Sequence, residues 1–452
     1  MPTILGANSV SGYDISNSLA FNDASSETLD KNFSSDGDRQ KFTWSAWIKR
    51  SALAADMVPF GAAEGSGRDE IRLNSNDKFQ VFLGDASDAN LITTRVFRDV
   101  SAWYHFVVAV DTTQGTAANR IKVYVNGVQE SAFDTETYPD QNYQMDFTAD
   151  CEHNIGAEGG GASLAFDGYM SEVNFVDGTQ LTPSSFGETN DNNVWVPKLI
   201  SGISYGTNGF FLQFKQTGTS ANAAGIGADT SGNNHHMTVT NLTAIDIVED
   251  TPTNNFATMN SLIPSGSVAF SDSNLVASAG ANAQRTVVGT IAVSSGKWYW
   301  ETLWTEVGGN DASSVGIVGT DNMTPNGNIA GVTNSFAYLQ DGRKQNSSAV
   351  ASYGTRFENS HIVGTALNLD DGTITFYLNG SSQGEAYDNI STDITYYLAA
   401  GFYNNNSKLD FNFGNPRFAI SSGNSDGLYG NFEYAPPAGY YAVCSKRLAQ
   451  FG

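Results

Sequence analysis

Two stretches of this sequence share one pattern, Arg120-Ile-Lys-Val-Tyr-Val-Asn-Gly-Val-Gln129 and Gly372-Thr-Ile-Thr-Phe-Tyr-Leu-Asn-Gly-Ser381. In each, β-branched and aromatic residues alternate ahead of Asn-Gly, the dipeptide that most readily accepts the two positive φ angles of a type I′ hairpin turn. Each stretch also follows a buried-strand pattern that ends in Asp, at 103–111 and at 361–370. The repetition predicts two all-β domains, each organised around a central antiparallel hairpin.

Length and composition fit this interpretation. A chain of 452 residues exceeds what one hydrophobic core usually serves, and two domains of about 200 to 250 residues are expected for β-rich architecture. Aromatic residues make up 12% of the chain and glycine occurs 46 times, which suits many strands joined by turns. The predicted boundaries are a first domain at 1–245, a linker at 246–264, a second domain at 265–425 and an extended tail at 426–452.

The formal net charge of −24 argues against a nucleic-acid partner, because phosphate binding requires clustered basic residues and the chain has 23 Lys and Arg in all. The charge favours solubility, and it leaves calcium as the one cofactor that acidic turns such as Asp229–Asn234 and Asp370–Gly372 could collect. The amino-terminal residues lack a charged region followed by a long apolar run, and no later stretch is long enough to span a membrane, so neither a secretory signal nor a membrane partner is expected. Cys151 and Cys444 lie in different predicted domains, which indicates free, buried thiols.

The first half resembles the laminin G-like branch of the concanavalin A-like jelly rolls. The residues that carry the resemblance are Phe42–Arg50, Trp103–Phe106, Val123–Gly127, Asn154–Gly156 and Phe166–Val173. That family implies a β-sandwich fold and a protein that binds sugars, other proteins or calcium, without deciding among them.

The second half resembles a SPRY domain, another concanavalin-like sandwich. Here the carrying residues are Gly296–Glu301, Val315–Val318, Leu367–Gly380 and Phe411–Gly414. SPRY domains are usually binding modules, which implies a second binding function. The predicted fold class is therefore all-β, with two concanavalin A-like jelly-roll sandwiches in tandem.

The whole arrangement, including the Pro-Pro-Ala-Gly-Tyr tail from Pro436, resembles virion surface proteins of marine bacteriophages. That resemblance implies a tail or head fibre, a decoration protein or a receptor-binding component, made in the host cytoplasm without a signal peptide. It also implies partners among other virion proteins and host-surface glycans or proteins, and a homo-oligomer such as a trimer.

The patterns that carry catalysis or metal binding are weak. A glycanase on this fold needs carboxylates converging from one strand face, whereas Asp167 and Glu172 are separated by an odd number of residues and would point to opposite faces of a regular strand. Glu301 alternates against tryptophans and is expected to be a rim or hydrogen-bonded structural residue. His235 and His236 are neighbours that diverge on a strand, and spacing signals no third metal ligand.

Carbohydrate binding needs exposed aromatic rings beside amides and carboxylates. Tyr338, Tyr403 and Asn404, with Asn405 and Asn406 following, are the candidate ligand-binding residues that this chemistry selects. No catalytic residue is predicted. The function expected is non-enzymatic adhesion, and two alternatives stay open: a glycan-degrading enzyme with an accessory binding domain, and a capsid cement protein that recognises no host ligand.

Overall fold

The computed structural model describes residues 12–65, 67–84, 88–263, 266–306, 313–324, 327, 329–404 and 406–452. The chain forms two compact units, of which the first ends at Thr253 and the second begins at Asn254. Both consist mainly of antiparallel strands, and the all-β prediction is confirmed. No helix in the described ranges is long and apolar enough to cross a membrane.

The first unit is a sandwich whose strands are β1 (Ser18–Phe21), β2 (Thr28–Asn32), β3 (Lys41–Arg50), β4 (Met57–Ala63), β5 (Asp69–Leu73), β6 (Lys78–Leu83), β7 (Ala89–Val96), β8 (Tyr104–Asp111), β9 (Ile121–Val125), β10 (Val128–Gln129), β11 (Phe133–Thr137), β12 (Glu152–Ile155), β13 (Gly168–Asp177), β14 (Gly187–Thr189), β15 (Trp195–Pro197), β16 (Phe210–Leu212), β17 (Thr238–Thr240) and β18 (Ile247–Val248). Sheet A runs in the order β10-β9-β8-β3-β13-β1-β18, with β16 also pairing β13. Sheet B runs in the order β11-β7-β6-β5-β4-β12-β2-β17, and β14 pairs with β15 separately. Short 3₁₀ helices lie at Asp23–Ser25, Ala117–Asn119, Asp146–Thr148, Pro183–Ser185 and Ala244–Asp246.

Alternation along β3 explains how sheet A is buried on both faces. Phe42, Trp44 and Ile48 point into the core between the sheets. The intervening residues point outwards, yet they are buried too, because later segments of the unit cover this outer face. Trp47 packs there in a cluster with the half-buried Trp195, as period-two strand geometry requires.

The predicted linker at 246–264 is instead divided between the two units. Ile247 and Val248 form β18 on the edge of sheet A. The Asp250 carboxylate forms a salt bridge with the Lys49 ammonium at 2.8 Å, and both side chains are at most 1% exposed. On the other side of the boundary, Phe256 and Met259 are core residues of the second unit. The stretch predicted as a linker therefore contains structured residues, and the carboxylate of Asp250 has a specific buried partner.

The second unit is another sandwich, with strands β19 (Val268–Ser271), β20 (Val276–Ala279), β21 (Arg285–Val293), β22 (Lys297–Glu306), β23 (Ser314–Gly319), β24 (Ser335–Leu339), β25 (Arg343–Asn346), β26 (Ala349–Ser352), β27 (His361–Asn368), β28 (Thr373–Leu378), β29 (Ser381–Tyr387), β30 (Tyr396–Phe402) and β31 (Lys408–Asn412). One sheet runs in the order β19-β20-β31-β22-β27-β28-β29 and the other in the order β21-β30-β23-β24-β25-β26. A 3₁₀ helix lies at Ile329–Gly331, and helix α1 spans Ser445–Phe451.

The segment in which Glu301 was predicted to alternate with tryptophans is strand β22. Its tryptophans at 298, 300 and 304 are at most 1% exposed and fill the core between the two sheets. Tyr299 and Glu301 face the other way, against the carboxyl-terminal segment. That segment is not simply the extended tail predicted at 426–452, because Phe432 and Val443 are buried and α1 ends it.

Both predicted hairpins are present. Asn126 and Gly127 have φ of 48° and 79°, and Asn379 and Gly380 have φ of 47° and 77°, which are the paired positive angles of type I′ turns. The hairpins lie at a sheet edge in each unit, formed by β9 with β10 and by β28 with β29, so the prediction that they are central is wrong. Strands that are non-local in sequence, β3 and β13 or β22 and β31, occupy the sheet interiors instead.

Candidate functional site

A groove on the outer side of sheet A is the candidate site. It consists of two adjoining cavities of about 750 and 380 Å³ that share Tyr13, Leu199, Ser201, Gly202 and Ile203 in their walls. We call this the outer groove. It mixes aromatic and aliphatic side chains with many hydroxyl groups, and its other polar or charged lining residues are Thr179, Ser184, Ser185, Glu188, Lys198, Ser204, Gln213, Lys215 and Thr230.

The segment after β13 forms the groove because it lies across the outer face of sheet A. Val107 and Val176 project outwards from β8 and β13, and Phe186 and Tyr205 pack on them as a small second core. The 3₁₀ helix at Pro183–Ser185 begins with proline, whose fixed φ suits a first helical position. Leu199 remains 65% exposed at the rim, so this wall keeps apolar surface open to a ligand.

A buried polar contact fixes the position of β15 on the sheet. Trp195 Nε1 donates to His105 Nδ1 at 3.0 Å, so the other imidazole nitrogen carries the proton towards Ser45 Oγ at 2.8 Å. His105 is fully buried, and this burial lowers its pKa to about 3, so it stays neutral. His105 is therefore a buried structural residue.

A β-bulge in β13 places Glu172 on the outer face. Ser171 pairs with Trp47 and Asn174 with Ser45, so two residues of β13 oppose one residue of β3. Glu172 has φ of 49°, an unusual value for a residue with a side chain. Because of the bulge, the side chains of Ser171 and Glu172 both point outwards. The strict alternation from which Asp167 and Glu172 were predicted to lie on opposite faces therefore does not hold here.

Glu172 is the buried carboxyl group beside the groove. It is 4% exposed, and its Oε1 accepts hydrogen bonds from Tyr13 Oη and Gln213 Nε2, both at 3.2 Å. Its Oε2 is buried and has no hydrogen-bond partner among the described residues. Burial raises the pKa of Glu172 to about 7, and the positive charge of Lys215 opposes that rise.

The residues predicted for carbohydrate binding do not form a site. Tyr338 is 0% exposed, lies in the core of the second unit and donates its hydroxyl to the Thr355 carbonyl, so it is not the exposed ring that was predicted. Tyr403 is half-buried just after β30, Asn404 is 9% exposed, and Asn405 lies outside the described residues. Tyr338 of β24 and Ala400 of β30 both pair in register with Val315 of β23, on the core side of the sheet. Tyr403 follows β30, so this register does not place Tyr338 beside Tyr403.

In the polar turns considered for metal binding, carboxylate oxygens accept hydrogen bonds from other groups of the protein. The Asp229 carboxylate accepts from the backbone N–H groups of Phe211, Ser231 and His235. In the second unit, Asp371 Oδ2 accepts from Asn368 Nδ2 at 2.7 Å. Within the described ranges, no group of three His, Cys, Asp or Glu side chains is placed to hold a metal ion.

Glu301 is the hydrogen-bonded structural residue that alternation indicated. It is 0% exposed and accepts from the N–H groups of Glu433 and Tyr434 at 3.0 and 2.8 Å, and from Asn412 Nδ2 at 3.1 Å. These bonds hold the carboxyl-terminal segment on β22. Burial nevertheless raises the pKa of Glu301 to about 7.

Comparison with known families now identifies the two sandwiches. A model described as the concanavalin A-like lectin/glucanases superfamily, of the laminin G type, matches residues 22–185, and a SPRY domain model matches residues 297–416. The chain carries a laminin G-like domain followed by a SPRY domain. The groove lies in the same compact unit as the laminin G-like match, but most of its lining residues, including those at 198–205, lie outside the matched range.

The individual proteins that resemble this chain each match only part of it. The ATP-dependent RNA helicase Ddx1 of Drosophila melanogaster is 28% identical over 152 residues, which cover 33% of this chain and 18% of the helicase, so the chain spans about a fifth of that relative's length. The SPRY domain of human HERC1 is 17% identical over 30% of this chain and 87% of that chain, with a TM-score of 0.27. A heptameric SAP-like pentraxin from Limulus polyphemus is 18% identical over 38% of this chain and 80% of that chain, with a TM-score of 0.30. Such partial likenesses say nothing about a ligand of this chain.

Sequence reasoning missed Glu172 and the groove. The one clue was a glutamate within Tyr169-Met-Ser-Glu-Val-Asn-Phe-Val176, a segment that is otherwise typical of a buried strand. A bulge has no reliable sequence signature when it contains no glycine, and the groove walls come from a segment without strand periodicity.

Proposed function

We propose that this protein is a non-enzymatic adhesion protein whose laminin G-like domain binds a glycan in the outer groove. The groove itself carries the proposal: it joins tyrosine rings and aliphatic side chains with serine and threonine hydroxyls, in a volume that suits one or two sugar rings. Tyrosine suits this task because it offers an apolar face and a polar end. Lectin-like and SPRY domains are both binding modules, which supports the same class of function.

We further propose that the protein works on the surface of a bacteriophage virion, attached to other virion proteins and facing host-surface glycans or proteins. This setting rests on the resemblance of the domain arrangement. Copies displayed together would multiply a weak affinity per groove into firm adhesion, provided that several grooves engage one surface. A homo-oligomer such as a trimer belongs to this proposal. Imaging of the native particle tests the setting.

The experiment for glycan binding is a glycan array probed with the full chain. Ser201 is exposed and lines both cavities, so S201W should fill the groove and abolish the array signal. T116W is the matched control, because Thr116 is exposed, makes no capping bond and lies outside the groove lining. Equal signals for the two variants would overturn the assignment of binding to the groove.

The glycanase alternative has one observation in its favour, the raised pKa of Glu172 beside a groove, since a general acid in a glycosidase needs such a shift. Hydrolysis requires a second carboxyl group across the scissile bond. Product analysis of oligosaccharides incubated with the protein decides between the two functions: release of shorter sugars would replace adhesion with hydrolysis. Absence of any glycan signal combined with tight binding to capsids would favour the cement alternative.

A further inference from the structure

We propose that Lys215 forms a subsite of the outer groove for an acidic sugar, whose carboxylate or sulfate group the Lys215 ammonium binds. This inference rests on the proposed glycan binding and names the class of glycan that the groove selects. Lys215 lines the second cavity of the groove, so a ligand in that cavity meets its side chain directly.

The strand pattern around β16 presents Lys215 to the groove. Phe211, Gln213 and Lys215 all line the second cavity. The residues that alternate with them belong to the core between the two sheets of the unit: Phe210, Leu212 and Phe214. Because side chains alternate between the two faces of an extended chain, an aromatic ring, an amide and an ammonium group follow one another along this wall of the groove.

The Lys215 ammonium group is available to a ligand. Lys215 is exposed, and it is the one charged residue among the described residues that line the second cavity. In the part of the chain that the structure describes, its side chain has no hydrogen-bond or salt-bridge partner, whereas Lys49 and Lys78 each contact a carboxylate. An ammonium group in this position can donate charge-assisted hydrogen bonds to an anionic group.

The other walls of the cavity suit the sugar that carries the anion. Tyr205 and Phe211 lie in one wall, with nearly parallel rings whose centroids are 6.2 Å apart. Ser201 is exposed in the same cavity and brings a hydroxyl group. A sugar ring can therefore contact apolar surface and a hydroxyl group while its anionic group meets Lys215.

Local charge favours an acidic sugar despite the net charge of −24. Charges beyond about 8 Å are largely screened at physiological ionic strength, so the residues of the groove itself dominate. The described residues that line it include two lysines, Lys198 and Lys215, and one carboxylate, Glu188. Glu172 is buried close by, but burial raises its pKa to about 7, so at neutral pH it opposes Lys215 only in part.

The test is calorimetric titration of the full chain with three probes: neutral galacto-oligosaccharides, oligogalacturonate as the carboxylate probe and carrageenan oligosaccharides as the sulfate probe. We expect at least one acidic probe to bind more tightly than the neutral probe, with an affinity that falls as sodium chloride is added. K215Q should weaken that binding by about tenfold or more, because it removes a charged hydrogen-bond donor. K215R keeps the charge and should retain most of the affinity.

The matched control is K122Q. Lys122 belongs to β9 on sheet A and lies outside the lining of both cavities, so K122Q removes one positive charge from the same compact unit and leaves the groove intact. Its affinity for the acidic probe should stay within about twofold of the wild type, since a distant charge is screened.

The outcomes separate the two proposals. If the wild type binds none of the probes and gives no signal on the glycan array, glycan binding itself fails. If the neutral probe binds at least as tightly as both acidic probes, adhesion stands and the class of glycan is wrong. If an acidic probe binds best but K215Q and K122Q bind it equally well, the assignment of Lys215 is wrong. Tighter binding of one acidic probe, lost in K215Q and kept in K215R, supports the subsite and shows which anion it prefers.

Discussion

Single residues hold the outer layers of both domains in place. In the laminin G-like domain, the ion pair of Lys49 with Asp250 is buried, and Trp103 Nε1 also donates to Asp250 at 3.0 Å. In the SPRY domain, Asp426 accepts two hydrogen bonds from Arg447 at 2.8 and 2.7 Å. Such pairs are costly to break, because one partner then remains buried with its charge unmatched.

We expect D250A to destabilise the laminin G-like domain by about 3–5 kcal/mol, since it leaves the Lys49 ammonium buried without its partner. Urea unfolding followed by circular dichroism should show one transition shifted to lower denaturant. Replacing both residues, as in K49M with D250A, should restore part of the loss. D134A, which removes the exposed partner of Lys78, should leave the midpoint unchanged. A D250A protein as stable as the wild type would contradict the structural role of the pair.

The buried carboxyl group of Glu301 should make the stability of the SPRY domain depend on pH. Its pKa in the folded state, about 7, lies above its ordinary value of 4.5, so the folded state holds the proton more tightly. The resulting stability is fully present below pH 4.5 and is lost as the pH rises through 7. Between pH 5.5 and 8 the domain should lose on the order of 1–3 kcal/mol from this group.

The measurement is hydrogen exchange at the amides of the core strands β22 and β27, which exchange through unfolding of the domain, across this pH range and corrected for the intrinsic rate. The wild type should lose protection at these amides as the pH rises. E301Q should be less protected at pH 5.5, because its amide N–H₂ faces N–H donors, and it should show a flatter dependence. Protection that increases with pH in the wild type would show that the sign is wrong.

At the scale of elements, the Asn-Gly hairpins were predictable and their surroundings were not. Two residues fix a type I′ turn locally, and each Asn side chain also accepts a backbone N–H, from His105 in one domain and from Ile362 in the other. An aromatic ring then covers each turn glycine: Trp195 over Gly127 and Tyr434 over Gly380. Those rings come from segments without periodicity, so only tertiary packing could reveal them.

Three glycines at positive φ allow a comparison: Gly127 and Gly380 lie in the Asn-Gly turns, and Gly384 lies at an irregularity within β29. An added Cβ would meet the Trp195 ring at 2.4 Å in G127A and the Tyr434 ring at 2.5 Å in G380A, whereas nothing lies within 4 Å at Gly384. G384A should therefore lower the free energy of unfolding only by the cost of a positive φ at alanine, about 1 kcal/mol. G127A and G380A should each cost roughly 1–3 kcal/mol more, from overpacking. Chemical denaturation of the three variants checks this order, and equal costs would show that the rings do not press on the turns.

At the scale of the whole molecule, the two domains share one plan. Each is a sandwich in which the central strands of one sheet are buried on both faces, because a later segment of the same domain covers the outside of those strands. Fold class and domain order could be predicted, since strand alternation and motif order are local properties of the sequence. The boundary at Thr253 and the groove could not, because Asp250 finds Lys49, and Glu172 finds Gln213, only after distant strands pair.

We propose that this chain holds a glycan in the outer groove of its first compact unit. Hydrogen exchange of the full chain, with and without the glycan that gives the strongest array signal, tests this proposal most directly. We predict slower exchange across residues 198–205 and 211–215, with the sugar recovered intact. Protection confined to the SPRY domain, or no change at these segments despite saturated binding, would contradict the account.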